Sequence, residues 1–306
     1  MKILVTGGAG FIASHIVDAY IAQEHQVAVI DNLASGFRKN LNRKARFYKV
    51  DIKNRVQLEK VFKDFRPEVV NHHAAIAEVV KSLRDPIPTY ETNVLGTANL
   101  ALLFGQYAKG RNKKFIFAST GGAIYGDPKK IPATENTLEK PLSPYGLSKL
   151  LGEEVIKFYA RTLNFPYFIF RYSNVFGPRQ NPKGEAGVVA IFGLLMKSKK
   201  QPIIFGDGSK VRDYVYVGDV VRANVLALKK GVNETINIGQ GKAVTDKMIF
   251  DAIAKVARYN KPPRYAPFRK GEVEKITLNY AKAGKVLGWK PQVDLEEGVR
   301  LAVEGI

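Results

Sequence analysis

The feature that most constrains this chain is a glycine cluster near its start, Gly7-Gly8-Ala9-Gly10, set between an apolar run and a helical stretch. Residues 2–6 (Lys-Ile-Leu-Val-Thr) read as a short buried strand, and residues 11 to about 23 as a helix. The spacing is Gly7-x-x-Gly10-x-x-Ala13. A tight turn wants glycine, and a diphosphate approaching the backbone tolerates no side chain. The free N–H groups at the helix start then hold the negative charge. The third position is where helix packs on strand, so alanine is acceptable there. Asp31 closes the next strand, 21 residues after Gly10. An acid there accepts hydrogen bonds from both ribose hydroxyls and repels a 2′-phosphate. The joint pattern predicts a dinucleotide site that takes NAD rather than NADP. Arg38 and Lys39 nearby point the other way, and Asp31 as a simple turn cap is the plain alternative.

Further strands are expected over 46–50, 68–72, 114–118 and 167–172, with helices over 57–65, 89–108 and 145–163. This alternation predicts an α/β fold, a doubly wound parallel sheet with helices on both faces. The near-continuous apolar strands agree with burial on both sides. After residue 172 the rhythm changes, with Gly177-Pro178, Asn181-Pro182, Gly184 and Gly187, and two helices are expected around 245–260 and 279–287. The expected division is a dinucleotide-binding domain over 1–172, rejoined by about 207–237, and a smaller C-terminal α/β substrate-binding lobe made of 173–206 and 238–306.

Composition removes several alternatives. The chain of 306 residues has no cysteine, which excludes disulfides, thiolate catalysis and Cys-ligated metals. His15, His25, His72 and His73 show no metal-ligand spacing, so no metal is expected. No apolar run approaches the roughly 18 residues of a membrane span. Met1-Lys2 leads straight into the first strand, without the apolar stretch of a secretory signal, so a cytoplasmic protein is expected. The net charge is +20, with basic clusters at Arg38-Lys39, Arg43-Lys44, 109–114 and 197–200. No aromatic-interleaved patch accompanies them. The expectation is therefore a solvated basic surface rather than a nucleic-acid site, one whose field helps attract an anionic diphosphate.

A second signal is Tyr145-Gly146-Leu147-Ser148-Lys149, just after Pro144. Residues four apart share one helix face. A free tyrosine, with a pKa near about 10, is a poor base at neutral pH, and a nearby ammonium favours the phenolate. Such a pair can take a hydroxyl proton while hydride leaves the same carbon. Alone, the spacing more often marks a surface helix; behind the dinucleotide fingerprint it points to Tyr145 and Lys149 as catalytic residues.

Together, Val5-Thr6-Gly7-Gly8-Ala9-Gly10-Phe11-Ile12, Asp31-Asn32 and Tyr145-Gly-Leu-Ser-Lys149 resemble the NAD-dependent epimerase/dehydratase family, of the extended short-chain dehydrogenase/reductase type, and within it the 4-epimerases of nucleotide-linked sugars. The likeness runs over nearly the whole chain. It implies a Rossmann sheet with NAD held by Gly7, Gly10, Phe11, Ile12, Asp31 and Asn32. It also places Asp51 and Ile52 at the adenine, Ala74 and Ala75 (after His73) under the pyrophosphate, and Asn93, Ser119, Tyr145 and Lys149 at the reactive end. Many 4-epimerases carry Ser or Thr four residues before Tyr125, but here that position is Gly121. Thr120 is the candidate for the role, with Ser119 second; the alternative is that both only satisfy backbone groups at the strand end. Related dehydratases carry an acid where this chain has Gly121-Gly122, which argues against dehydration.

The resemblance further assigns substrate contacts to Thr120, Tyr145, Asn174, Arg212, Arg269 and Glu272, the last four around a nucleoside diphosphate. Each arginine taken alone is more often a surface charge. Ile276 stands where relatives limit room around the sugar, which leaves N-acetylated sugars open. The implied reaction interconverts UDP-glucose and UDP-galactose through a transient 4-keto sugar, with hydride passed to and returned from tightly bound NAD. Alternatives are a UDP-glucuronate 4-epimerase or decarboxylase, a UDP-N-acetylglucosamine 4-epimerase and, remotely, a non-catalytic nucleotide-binding protein. The family also implies a homodimer pairing the two long helices, roughly 89–108 and 146–163.

Overall fold

The computed structural model describes residues 1–108, 113–183, 187–269 and 271–305. Most of the basic run at 109–114, Gly184 and Lys270 lie outside the described residues. The chain begins β1 (Lys2–Thr6), α1 (Phe11–Ala22), β2 (Gln26–Asp31), β3 (Arg46–Lys49), α2 (Arg55–Phe65) and β4 (Val69–His72). Next come α3 (Val79–Arg84), α4 (Ile87–Tyr90), a π turn over Glu91–Leu95, α5 (Gly96–Tyr107), β5 (Lys114–Thr120), α6 (Gly121–Ile124), α7 (Pro144–Thr162) and β6 (Tyr167–Tyr172). The remainder is β7 (Asn174–Phe176), α8 (Val188–Lys197), β8 (Ile203–Phe205), β9 (Val211–Arg212), β10 (Tyr214–Tyr216), α9 (Val217–Ala227), β11 (Glu234–Ile238), β12 (Val244–Thr245), α10 (Asp246–Ala257), β13 (Arg264–Ala266), α11 (Ala281–Leu287) and α12 (Leu295–Glu304).

Seven strands form one parallel sheet in the order β11-β6-β5-β4-β1-β2-β3. The strand order reverses between β1 and β4, which opens a crevice beyond their carboxyl ends. Helices cover both faces. Ile16, Val17 and Tyr20 of α1, Ala223 of α9, and Ala283, Leu287 and Trp289 pack on one side with Val5, Phe168 and Ile236. Leu58 and Phe62 of α2, Leu100 and Phe104 of α5, and Ile156 of α7 pack on the other with Leu4, Val70 and Phe117. The sequence division places 281–289 in the smaller lobe, yet Leu287 and the fully buried Trp289 close the sheet's own core. The lobe has a separate core, in which Phe192 and Met196 of α8, Ile249 and Phe250 of α10, and Val299 and Val303 of α12 meet Tyr214.

The helix expected over 89–108 is present but not uniform. Its Glu91–Leu95 turn is a π turn, in which Thr97 Oγ1 donates to the Asn93 carbonyl at 2.6 Å. Such single wide turns often mark functional sites. Gly96 follows where a Cβ would come within 2.6 Å of Ile52. Helix α7 has the start its sequence announces. Ser143 Oγ accepts the Gly146 N–H at 3.2 Å, Pro144 occupies the first turn, and Ser82 Oγ accepts the Tyr145 N–H at 3.2 Å.

Helix α7 lies close to the sheet because Gly152 faces Phe117, whose ring would sit 2.9 Å from an added Cβ. Overfilling a packed contact costs about 1–3 kcal/mol. Gly152→Leu is accordingly expected to lower unfolding free energy by about that amount and to reduce turnover by displacing α7, read by urea denaturation beside an activity assay.

Candidate active site

The glycine turn after β1 is tightly enclosed. Gly7 has φ +72°, and a Cβ there would lie 2.8 Å from the Ala74 nitrogen. Only glycine satisfies both conditions. Gly10 is the N-cap of α1 and has no side chain to cap it, and the first turn holds no acid. The helix start, with Phe11 and Ile12 both half-buried, therefore leaves donors for an anion. Asp31, 8% exposed, accepts the Ala9 N–H (3.0 Å) and the Leu33 N–H (2.7 Å). These bonds fix its carboxylate at the rim of the glycine turn with lone pairs to spare for ribose hydroxyls. Asn32 Nδ2 donates to Asp51 Oδ2 at 3.1 Å, so the two residues expected at the nucleoside end meet. Ile52 beside them is buried against Gly96. Ala74 N–H donates to Thr6 Oγ1 at 3.2 Å, and Ala75 follows half-buried. His73 Nδ1 and Ser173 Oγ are enclosed without a hydrogen-bond partner among the described residues, polar atoms suited to a polar ligand at the ends of β4 and β6. The donor set fits a dinucleotide.

Tyr145 and Lys149 lie one turn apart on α7, facing the end of β5. Lys149 is 4% exposed, and its ammonium rests 4.3 Å from the centroid of the Phe117 ring. Burial pushes it down to about 7, with the Glu153 charge acting the other way. Burial pushes the Tyr145 hydroxyl up to about 12, and a hydrogen bond with the Thr120 hydroxyl opposes that rise. The expected phenolate held by Lys149 is therefore not what the protein alone favours. Desolvation sets the Tyr145 hydroxyl, and the Lys149 ammonium rests on the Phe117 ring.

Thr120 thus lies within reach of the Tyr145 hydroxyl. Ser119 points elsewhere: its hydroxyl donates to Glu153 Oε1 at 2.6 Å. At Gly121, where the resemblance leads one to expect Ser or Thr, a Cβ would lie 2.5 Å from Leu278, so Leu278 fills that space. At Gly122 a Cβ would lie 3.3 Å from Asn174 Oδ1 and 3.8 Å from Thr120 Oγ1. Asn174 and Thr120 thus flank one small space roofed by glycine.

The charged residues expected around the diphosphate are split between two places. Asn174 and Arg212 are linked through Asp213, whose carbonyl accepts the Asn174 N–H at 2.9 Å. Arg212 donates to the carbonyls of Val211 (2.9 Å) and Glu274 (3.2 Å). Arg269 lies with its guanidinium 3.4 Å from the centre of the Phe205 ring and 3.8 Å from Glu272. Glu272 is ion-paired to the buried Lys210, a residue that sequence reasoning passed over. Ile276 is buried with Ile124, Tyr125 and Leu278.

Sequence reasoning also missed Glu153 and Arg171, both under 3% exposed. Arg171 grips Glu153 with two bonds, Nε to Oε1 at 3.0 Å and Nη2 to Oε2 at 2.7 Å, and donates to Tyr125 Oη (3.0 Å) and Glu139 Oε1 (2.8 Å). The available signal was position: Glu153 is one turn beyond Lys149 on the same face. Breaking a buried pair costs about 3–5 kcal/mol. Glu153→Gln is expected to lower stability by up to that range in urea denaturation. It also removes the charge that raises Lys149, so the Lys149 titration, followed by NMR of labelled lysine, is expected to move below about 7.

The comparisons with known proteins agree with this geometry. The family model of the NAD dependent epimerase/dehydratase family matches residues 3–239. A Methanocaldococcus jannaschii protein is 48% identical over 302 residues, 98% of this chain and 97% of that one. The UDP-glucose 4-epimerase of Mycolicibacterium smegmatis is 39% identical, over 99% of this chain and 98% of its own. Among solved structures, the UDP-glucose 4-epimerase of Thermotoga maritima with UDP-glucose superposes with a TM-score of 0.97 at 50% identity, covering 100% of this chain and 98% of that one. The Thermus thermophilus UDP-glucose 4-epimerase complex with NAD gives 0.94 at 41% identity, again covering 100% and 98%. The chain belongs to the NAD dependent epimerase/dehydratase family.

Proposed function

We propose that the protein is a UDP-glucose 4-epimerase that interconverts UDP-glucose and UDP-galactose with NAD retained in its crevice. The observation that carries this reading is the pair Tyr145 and Lys149 one turn apart on α7, with the Lys149 ammonium over Phe117 of β5, beside a glycine turn whose rim is set by Asp31. The relatives named above support it. The space around Gly121 and Gly122 supports epimerisation over dehydration. Leu278 crowds the first position and Asn174 the second, and neither offers the carboxylate that dehydration would call for.

Gly7, Gly10, Phe11, Ile12, Asp31, Asn32, Asp51, Ile52, Ala74, Ala75, Asn93 and the backbone of Ser119 would line the cofactor's place. When bound, NAD supplies the hydride acceptor for the sugar C4 and a positive charge that lowers the Tyr145 hydroxyl from its value in the protein alone. Tyr145 then takes the proton from the 4-hydroxyl, while the Thr120 hydroxyl steadies the same oxygen. Lys149 would contribute its positive charge beside Tyr145, and Tyr145 would give the same proton back to the oxygen as the 4-keto sugar is reduced. Asn174, Arg212, Arg269 and Glu272 hold the nucleoside diphosphate, the arginines swinging from the carbonyls and ring they now touch. The 4-keto sugar can turn over within the pocket while its nucleotide stays anchored. In this reading the sheet and its helices form the cofactor domain, and the lobe around α8, α10 and α12 carries the nucleotide.

The protein is also read as a homodimer. Leu95, Leu147, Leu151 and Phe158 are exposed on the paired helices α5 and α7 and their approach, a row of apolar side chains suited to a second copy. Analytical ultracentrifugation tests this: a monomer at micromolar concentration would sink it.

The decisive experiment is incubation of the purified protein with UDP-glucose and no added cofactor, watching for UDP-galactose by NMR. Tyr145→Phe is expected to abolish turnover while leaving NAD bound, and Thr120→Val to cut turnover more than about tenfold. An unchanged rate in Thr120→Val would remove Thr120 from the mechanism.

A further inference from the structure

His72 has no part in the scheme above, yet its ring is 1% exposed and both nitrogens are engaged. Nδ1 lies 2.7 Å from Thr6 Oγ1 and Nε2 lies 2.9 Å from Thr97 Oγ1. The neighbours decide which atom donates. The single hydroxyl proton of Thr97 goes to the Asn93 carbonyl at 2.6 Å, so Thr97 Oγ1 can only accept from His72 Nε2–H. Burial holds the ring well below the usual imidazole range, and the positive charge of Lys149 acts in the same direction. A neutral ring protonated on Nε2 has a bare Nδ1, which accepts the Thr6 hydroxyl proton. Thr6 Oγ1 is then free to accept, and it receives the N–H groups of His73 and Ala74, each at 3.2 Å. Every proton along this path has one possible direction.

The path joins two parts of the site. At one end, His73 and Ala74 form the loop on which the Gly7 turn rests, with no room for a Cβ between them. At the other, Asn93 sits in the π turn. Its side chain holds the backbone of Ile76 through both its oxygen (2.8 Å) and its nitrogen (2.9 Å). The same nitrogen donates to Ser148 Oγ at 2.9 Å, and Ser148 Oγ donates to the Tyr145 carbonyl at 2.7 Å.

We propose that His72, as its Nε2–H tautomer, is a positioning residue that fixes the helix carrying Tyr145 and Lys149 against the loop beneath the cofactor's diphosphate. It touches neither substrate nor cofactor. The inference rests on the epimerase reading of the site. A shift of about 1 Å between reacting groups can cost roughly a hundredfold in rate, so losing this link affects kcat and leaves the nucleotide anchors, which lie in the other lobe, untouched.

The test combines three variants with a spectrum of the native protein. His72→Leu removes both bonds at similar volume, and Thr97→Val removes the Nε2 acceptor and the Asn93 donor without changing shape. Each is expected to lower kcat about 10- to 100-fold with the KM for UDP-glucose within about twofold of native. His72→Gln, which keeps an N–H donor at the reach of Nε2, is expected to recover part of the loss. Nitrogen-15 NMR of histidine-labelled native protein is expected to show His72 protonated on Nε2 alone. A ring protonated on Nδ1, or a charged ring, overturns the proposal, as does native kcat in both His72→Leu and Thr97→Val. Should His72→Leu fail to fold, Thr97→Val and the spectrum decide. A native protein that does not epimerise UDP-glucose would count against the functional reading, and the spectrum would still judge the hydrogen-bond path.

Discussion

The bidentate contact between Arg171 and Glu153 is the interaction on which the reactive end of this protein depends. It is buried on every side, and it ties together three elements that must agree in position. Glu153 belongs to α7, which carries Tyr145 and Lys149. Through Ser119 it holds the end of β5, where Thr120 sits. Arg171 belongs to β6, two residues before the turn to Asn174. Removing two charges from water is costly, and such a pair is tolerated when its remaining donors and acceptors are satisfied. Here Tyr125, Glu139 and Ser119 satisfy them. Tyr125 in turn donates to Asn237 on β11, which extends the network to the edge of the sheet.

The cofactor crevice is built on a different principle, the absence of side chains. Gly7 faces the Ala74 backbone, Gly8 faces Val29, and Gly36 faces Ala9, each at a distance that excludes a Cβ. Backbone groups consequently line the approach to the helix start, where the charge of a diphosphate is best met. The polar groups that remain are few and placed by the backbone itself, as Asp31 is by the N–H groups of Ala9 and Leu33. One region is thus shaped by close packing of glycines and the other by a saturated polar network. The path through Thr6, His72, Thr97 and Asn93 runs between them.

Legibility in the sequence differed along the chain for physical reasons. The first six strands and the four longer helices between them, α1, α2, α5 and α7, could be read because each is a local pattern, an apolar run or a helical repeat bounded by turn residues. The glycine turn with Asp31, and Tyr145 with Lys149, are also local: each needs only a spacing and one element to carry it. Beyond residue 172 the elements are short, and β7 to β10 have two or three residues each, too few to show a period. Helices α8, α9 and α12 went unread, α12 despite its Asp294 cap and acidic first turn, and nothing in the seven residues of α11 says which surface Leu287 meets. Glu153 and Arg171 look like ordinary surface charges in the sequence, since their burial depends on partners 18 residues apart.

The sequence by itself determined the class of fold and singled out the glycine turn with Asp31 and the pair Tyr145 and Lys149, because glycine conformations and helical spacing are properties of short segments. Tertiary structure decided what those residues experience. It placed the Lys149 ammonium on an aromatic ring, raised the Tyr145 hydroxyl by burial, filled the Gly121 position with Leu278 from a distant segment, and turned Ser119 towards Glu153 while Thr120 met Tyr145. Desolvation and close packing arise only when remote parts of the chain come together, so no local pattern could have announced them.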